Sequence, residues 1–114
     1  MDGCIFCKIA SGQIPAKKVF EDDLLVAFHD ISPKAPVHVL VVPKIHITSA
    51  NDLHSIDDLL ASHILKLLPK IAEILEVSNS GYRVVVNCGE NGGQSVDHLH
   101  FHLLGGRILQ WPPG

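Results

Sequence analysis

No run in these 114 residues approaches the ~20 consecutive apolar positions that would span a bilayer. The opening stretch, MDGCIFCKIASGQIPAKKVF, also lacks the continuous apolar centre of a signal peptide, so neither membrane association nor export is expected. Basic charge is scarce and scattered. Nine Lys and Arg stand against twelve Asp and Glu, the formal net charge is −3, and PAKKVF holds the only adjacent basic pair. Binding to nucleic acid needs a basic patch or stripe, and the sequence offers none. A small anion is not excluded by this, because backbone amides bind phosphate without a basic surface. Cysteines number three, an odd count that argues against a disulfide framework and makes the cytoplasm the expected compartment. Low-complexity tracts, internal repeats and Pro/Gly/Ser linkers are absent, and the length suits a single domain over 1–114.

A hydrophobic content of 46% with 18% charged residues fits a packed core. Ile5, Phe6 and Ile9 predict one or two helical turns, ended by Gly12 and Pro15. KVFED and LLVAFHD, separated by an acidic turn at Glu21–Asp23, predict a hairpin. VHVLVVP (37–43) is a β-branched run suited to a buried strand. From Ser55 to about Glu76, leucines and isoleucines recur every three or four residues, the mark of one long helix. Ser55 and Asp58 resemble a capping box, Pro69 should kink or divide the helix, and NSG (79–81) should stop it. YRVVVNCG (82–89) and HLHFHLLG (98–105) predict two further strands joined by the loop GENGGQS. The expected fold is α+β: a five-stranded, mainly antiparallel sheet with one long and one short helix.

The chemistry concentrates in SVDHLHFHLLGG. On a strand, His98, His100 and His102 point to one face while Leu99, Phe101 and Leu103 point to the other. The second set reads as core, so three imidazoles line the opposite face. An imidazole with a pKa of ~6.5 offers a neutral lone pair near pH 7, which suits both metal binding and nucleophilic or acid–base chemistry. Cys4 and Cys7 form a Cys-x-x-Cys pair. With two histidines brought in by the fold, the pair would make a tetrahedral Cys₂His₂ set. Thiol redox is the rival reading, although the βαβ context of such motifs is missing. The loop before the histidines offers backbone amides at Gly92 and Gly93 and side-chain donors from Gln94 and Ser95, an arrangement able to hold a phosphoryl oxyanion. A hairpin turn is its ordinary alternative. Asp97, by alternation, should face away from the histidines. His29, His38, His54 and His63 read as surface or structurally satisfied residues, and Cys88 as a small buried or loop thiol.

GGQSVDHLHFHLLGGR resembles the signature of the histidine triad family, His-x-His-x-His-x-x with apolar x. CIFCKIASGQIPAKKVFEDD, AFHDISPKAPVHVLVVPKIHI, GYRVVVNCGENGGQSV and GGRILQWPPG look like its Hint branch, the histidine triad nucleotide-binding proteins. That resemblance implies a homodimer with a continuous ten-stranded sheet, and hydrolysis of purine nucleoside phosphoramidates such as adenosine 5′-phosphoramidate. It makes His100 the nucleophile that forms a nucleotidyl-histidine intermediate, His102 a phosphate contact, and Ser95 and Gln94 phosphate and leaving-group contacts beside Gly93. It implies a base pocket of Ile5, Phe6, Ile9, Phe28 and Ile31, with Asp30 on the ribose hydroxyls and Asn87 near sugar and phosphate. Family members with the Cys pair match a structural zinc site of Cys4, Cys7, His46 and His98; in members without it, the two histidines belong to a hydrogen-bonded relay. Trp111 is implied to pack near the dimer interface. A dinucleoside polyphosphate hydrolase and a non-enzymatic, zinc-stabilised scaffold dimer are the alternatives.

Overall fold

The computed structural model describes residues 3–114. Helix α1 (Ile5–Ala10) leads into strands β1 (Lys18–Glu21), β2 (Leu25–His29) and β3 (Val37–Pro43). A short 3₁₀ turn (Ala50–Ser55) and the long helix α2 (Asp58–Ile74) follow, then β4 (Tyr82–Val85) and β5 (Phe101–Gly105). The strands form one sheet in the order β1-β2-β3-β5-β4, with every neighbouring pair antiparallel. The α+β expectation holds, with its five strands and its two helices of unequal length.

Alternation along β2 and β3 sorts their side chains between two cores. Leu25, Ala27, Val39 and Val41 face α2, where they meet Leu60, Ile64, Leu67 and Ile71. Val26, Phe28, Leu40 and Val42 face α1 and bury Phe6 and Ile9. Both faces of these strands are covered, which is why VHVLVVP reads as a continuous apolar run rather than an alternating one. Leu99, Phe101 and Leu103 join the α2 side. The imidazoles between them therefore fall on the α1 side, as the alternation predicts.

Several boundaries differ from the sequence reading. Helix α2 starts at Asp58 with Asp57 as its cap, whose carboxylate accepts the Leu59 N–H at 2.7 Å. Ser55 closes the preceding 3₁₀ turn instead, its hydroxyl donating to the Asp52 carbonyl. An aspartate caps as well as a serine, so the pattern alone could not choose between the two. Pro69 does not divide the helix. The carbonyl four residues back, which loses its amide partner, belongs to exposed Leu65. The helix ends before NSG, because Glu76 adopts a left-handed conformation (φ 60°) and the Val77 N–H closes onto Ala72. Strand β4 stops at Val85 and β5 begins only at Phe101, so His98 and His100 precede the ladder.

Candidate functional site

Two loops meet in front of β5. β3 ends at Pro43 and the chain then passes Lys44 and His46; before β5 it passes Asp97, His98 and Leu99. The Leu99 N–H donates to the Ile47 carbonyl at 2.6 Å, and His98 Nε2–H donates to the Pro43 carbonyl at 2.8 Å. These bonds fix His98 beside His46, with ring centroids 4.9 Å apart at an interplanar angle of 88°. Helix α1 brings the cysteines to the same place. Cys4 caps it and Cys7 lies one turn later, so the two thiols share one end of the helix.

His98 is fully buried, and its tautomer follows from its bonds. With Nε2–H given to Pro43, Nδ1 keeps its lone pair and faces Cys4 Sγ at 3.2 Å and Cys7 Sγ at 3.5 Å. Cys7 Sγ lies 3.3 Å from His46 Nδ1. The four ligand atoms all lie within 4.8 Å of one another. A tetrahedral zinc with Zn–S near ~2.3 Å and Zn–N near ~2.05 Å separates S from N by about 3.6 Å. The set thus fits a metal in both donor chemistry and spacing. Burial pushes the Cys7 thiol above its ordinary 9.0, with the neighbouring Cys4 sulfur adding to the rise, and holds His98 below 6.5. A cation among these groups would offset the cost of the thiolate, while His98 already supplies the neutral ring that coordination requires.

His100, only 3% exposed, stands against the edge of Phe6, with centroids 5.0 Å apart. Its Nδ1–H donates to the His98 carbonyl at 2.7 Å, which leaves the lone pair on Nε2. Among the described residues His100 makes no bond through Nε2, and no fully buried side-chain nitrogen there lacks a partner. That nitrogen therefore opens to the surface. His102 follows, with its ring 5.1 Å from that of His100. Behind His102 stand His38 Nε2, 2.9 Å from His102 Nδ1, and Asp30 Oδ2, 3.5 Å from the same His38 nitrogen. Burial holds His38 below 6.5; burial first, then the His100 and His38 charges, lowers His102 to about 4. His38 is 5% exposed and belongs to the site, which the sequence reading missed. The signal was present in VHVLVV, where a lone imidazole interrupts an otherwise apolar buried strand.

The GENGGQS loop is a closed turn. The Gly93 N–H donates to the Glu90 carbonyl at 3.0 Å, so this amide is engaged within the turn rather than free for an anion. A Cβ at Gly92 would stand 2.3 Å from the Cys88 carbonyl oxygen, so only glycine permits this approach. Gln94 donates from Nε2 to the Thr48 and Val96 carbonyls and accepts the Gly89 N–H, so it fastens the loop. Ser95 is exposed. Asp97 lies ahead of the ladder, and with Ser95, Thr48, His46 and Cys4 it lines an open depression of about 480 Å³.

Of the nominated base pocket, Phe6, Ile9 and Phe28 lie in the α1 core, with Phe6 and Phe28 in an edge contact at 5.8 Å. Ile5 and Ile31 are exposed beside it. Asp30 Oδ1 accepts the Ser32 N–H at 2.8 Å, and Asn87 is half-buried just beyond β4. Three of the four remaining histidines act as read. His63 pairs with Asp22 at 2.6 Å, His54 bonds the Asn51 carbonyl, and His29 is exposed. Cys88 is a half-buried loop thiol.

The family model for the HIT domain matches residues 11–109. The chain belongs to the HIT family. An uncharacterised HIT-like protein of Synechococcus elongatus is 50% identical over 110 residues, 96% of each chain. A HIT family hydrolase from Legionella pneumophila is 51% identical with a TM-score of 0.94, covering 98% of this chain and 100% of its own. A histidine triad nucleotide-binding protein from Candida albicans is 38% identical with a TM-score of 0.81, covering 96% and 83%. HIT membership accounts for the fold and for the row of imidazoles.

Proposed function

We propose that the protein hydrolyses purine nucleoside phosphoramidates, with adenosine 5′-phosphoramidate as the test substrate, through a nucleotidyl intermediate on His100. One observation carries this reading: the His98 carbonyl fixes the proton of His100 on Nδ1, so the Nε2 that opens to the surface is a free nucleophile. Attack of Nε2 on the α-phosphorus forms the N–P bond as the P–N bond to the amine breaks. The departing nitrogen takes a proton, with Ser95 as the hydroxyl candidate on the loop. Water then attacks the nucleotidyl-histidine and returns His100 to its starting state. His102 hydrogen-bonds the phosphate. Phe6, Ile9, Phe28, Ile5 and Ile31 hold the base, Asp30 the ribose hydroxyls, and Asn87 the sugar–phosphate junction. Gly93 and Gln94 shape the loop over the phosphate.

Zinc on Cys4, Cys7, His46 and His98 would fill all four of its positions with protein ligands, so its contribution is to lock α1 and the two loops together. A homodimer would extend the sheet through β4, an edge strand beside β5 whose flank exposes Tyr82, Val84 and Val86. Exposed Ile108 and Trp111 lie on the segment after β5. The Candida relative, named for nucleotide binding, supports the nucleotide part of the reading.

The test is mass spectrometry of protein quenched without acid during turnover of adenosine 5′-phosphoramidate. An adenylate adduct on His100, absent in His100→Ala, is expected. Nucleotide binding with neither adduct nor product would overturn the proposal.

A further inference from the structure

His38 and His102 share one proton, and its placement is set by the backbone. The Lys34 N–H donates to His38 Nδ1 at 3.0 Å, which makes that nitrogen the acceptor. A neutral His38 must then carry its proton on Nε2, 2.9 Å from His102 Nδ1. Both rings are neutral near pH 7, since burial lowers each below the ordinary imidazole value. His102 Nδ1 is thus an acceptor, and its own proton is left on Nε2. The loop that supplies the Lys34 N–H is braced from three sides. Asp30 Oδ1 holds Ser32, Arg107 Nη2 donates to the Lys34 carbonyl at 2.9 Å, and Gly106 approaches Pro36 so closely that a Cβ would sit 2.9 Å from it.

We propose that His38 is a positioning residue that fixes His102 in the Nε2–H tautomer, so that His102 presents a hydrogen-bond donor, not a lone pair, to the phosphoryl oxygens. The inference rests on the phosphoramidase reading for what His102 faces, but the tautomer itself does not. Its chemical sense is that of a prearranged donor. A phosphoryl group under attack by His100 gathers negative charge on its oxygens, and a lone pair aimed at them would repel it. Asp30 Oδ2, 3.5 Å from the same Nε2–H, is a weaker competitor for that proton than the imidazole at 2.9 Å.

The measurement is long-range ¹H–¹⁵N NMR of histidine side chains at neutral pH, combined with turnover, for the whole protein and two variants. Wild type should show His102 protonated on Nε2 and accepting at Nδ1. His38→Gln can still donate its amide N–H and should keep that signature, with kcat within about fivefold. His38→Leu, similar in bulk but without a donor, should shift His102 toward Nδ1–H and lower kcat by about 100-fold, the usual cost of one oxyanion donor, with KM changing far less. An Nδ1–H signature in wild type would overturn the inference. So would a cation replacing the shared proton, or equal loss of activity in both variants. Absence of turnover in wild type would refute the phosphoramidase reading alone, since the spectra still decide the tautomer. If His38→Leu does not fold, wild type and His38→Gln still decide it by the same signature.

Discussion

Burial keeps His38 and His102 below the ordinary imidazole pKa of 6.5, His102 furthest at about 4. An unfolded chain binds a proton at these positions as pH falls through 6.5, while the folded chain resists at both, at His102 until near 4. Their contribution to stability is therefore complete above pH 6.5 and is lost progressively as pH drops toward 4. His102→Asn should flatten the acid limb. Urea midpoints at pH 7, 5.5 and 4.5 would converge for the variant and spread for wild type. The candidate metal cluster makes a second prediction at this scale. Cys7→Ser should abolish stoichiometric zinc in native mass spectra and cost at least about 1 kcal/mol, roughly 4–8 °C in Tm for a domain near this size. At the residue scale the sequence was eloquent about His100 and His98, because period-two spacing is visible in a string. It flagged His38 only as a lone imidazole in the apolar run VHVLVV and not its partners, because Lys34 and His102 are joined to it by a loop and by a strand register that no local pattern encodes.

Among elements, α2 separates two readings of its own start. Asp57→Ala should cost about 1 kcal/mol in urea unfolding, while Ser55→Ala should cost a few tenths, because only the aspartate satisfies a first-turn N–H. The cost of a truncation inside α2 should be larger. Ile71 is fully buried against the sheet, and Ile71→Ala should lose about 2–5 kcal/mol by the same measurement. Element types were legible because α2 has its own period, and β3 was readable to the residue because it is a continuous β-branched run. Ends were less so. The true end of α2 depends on a non-glycine residue, Glu76, taking a left-handed conformation, and β5 starts late because the Leu99 N–H before it bonds to Ile47, in the loop after β3, instead of to a strand.

For the whole molecule, the exposed flank of β4 argues for pairing with a second copy. If the protein pairs through β4 as proposed, Val84→Lys should give a monomer in sedimentation equilibrium while leaving far-UV circular dichroism unchanged, since this side chain is exposed on the edge strand and belongs to neither core. The two cores also divide the work of the sheet. The larger one lies under α2; the smaller, under α1, borders the His98 and His100 imidazoles through Phe6. Strands β2 and β3 contribute to both, whereas in the segment 98–103 side chains alternate between chemistry and core. A one-residue slip in that segment would drive three imidazoles into the α2 core and expose Leu99, Phe101 and Leu103. Misaligned chains would then be unstable as well as inactive, leaving little room for a long-lived, soluble, wrongly registered population. The proposed nucleophile, His100, doubles as a proofreader of the strand it precedes.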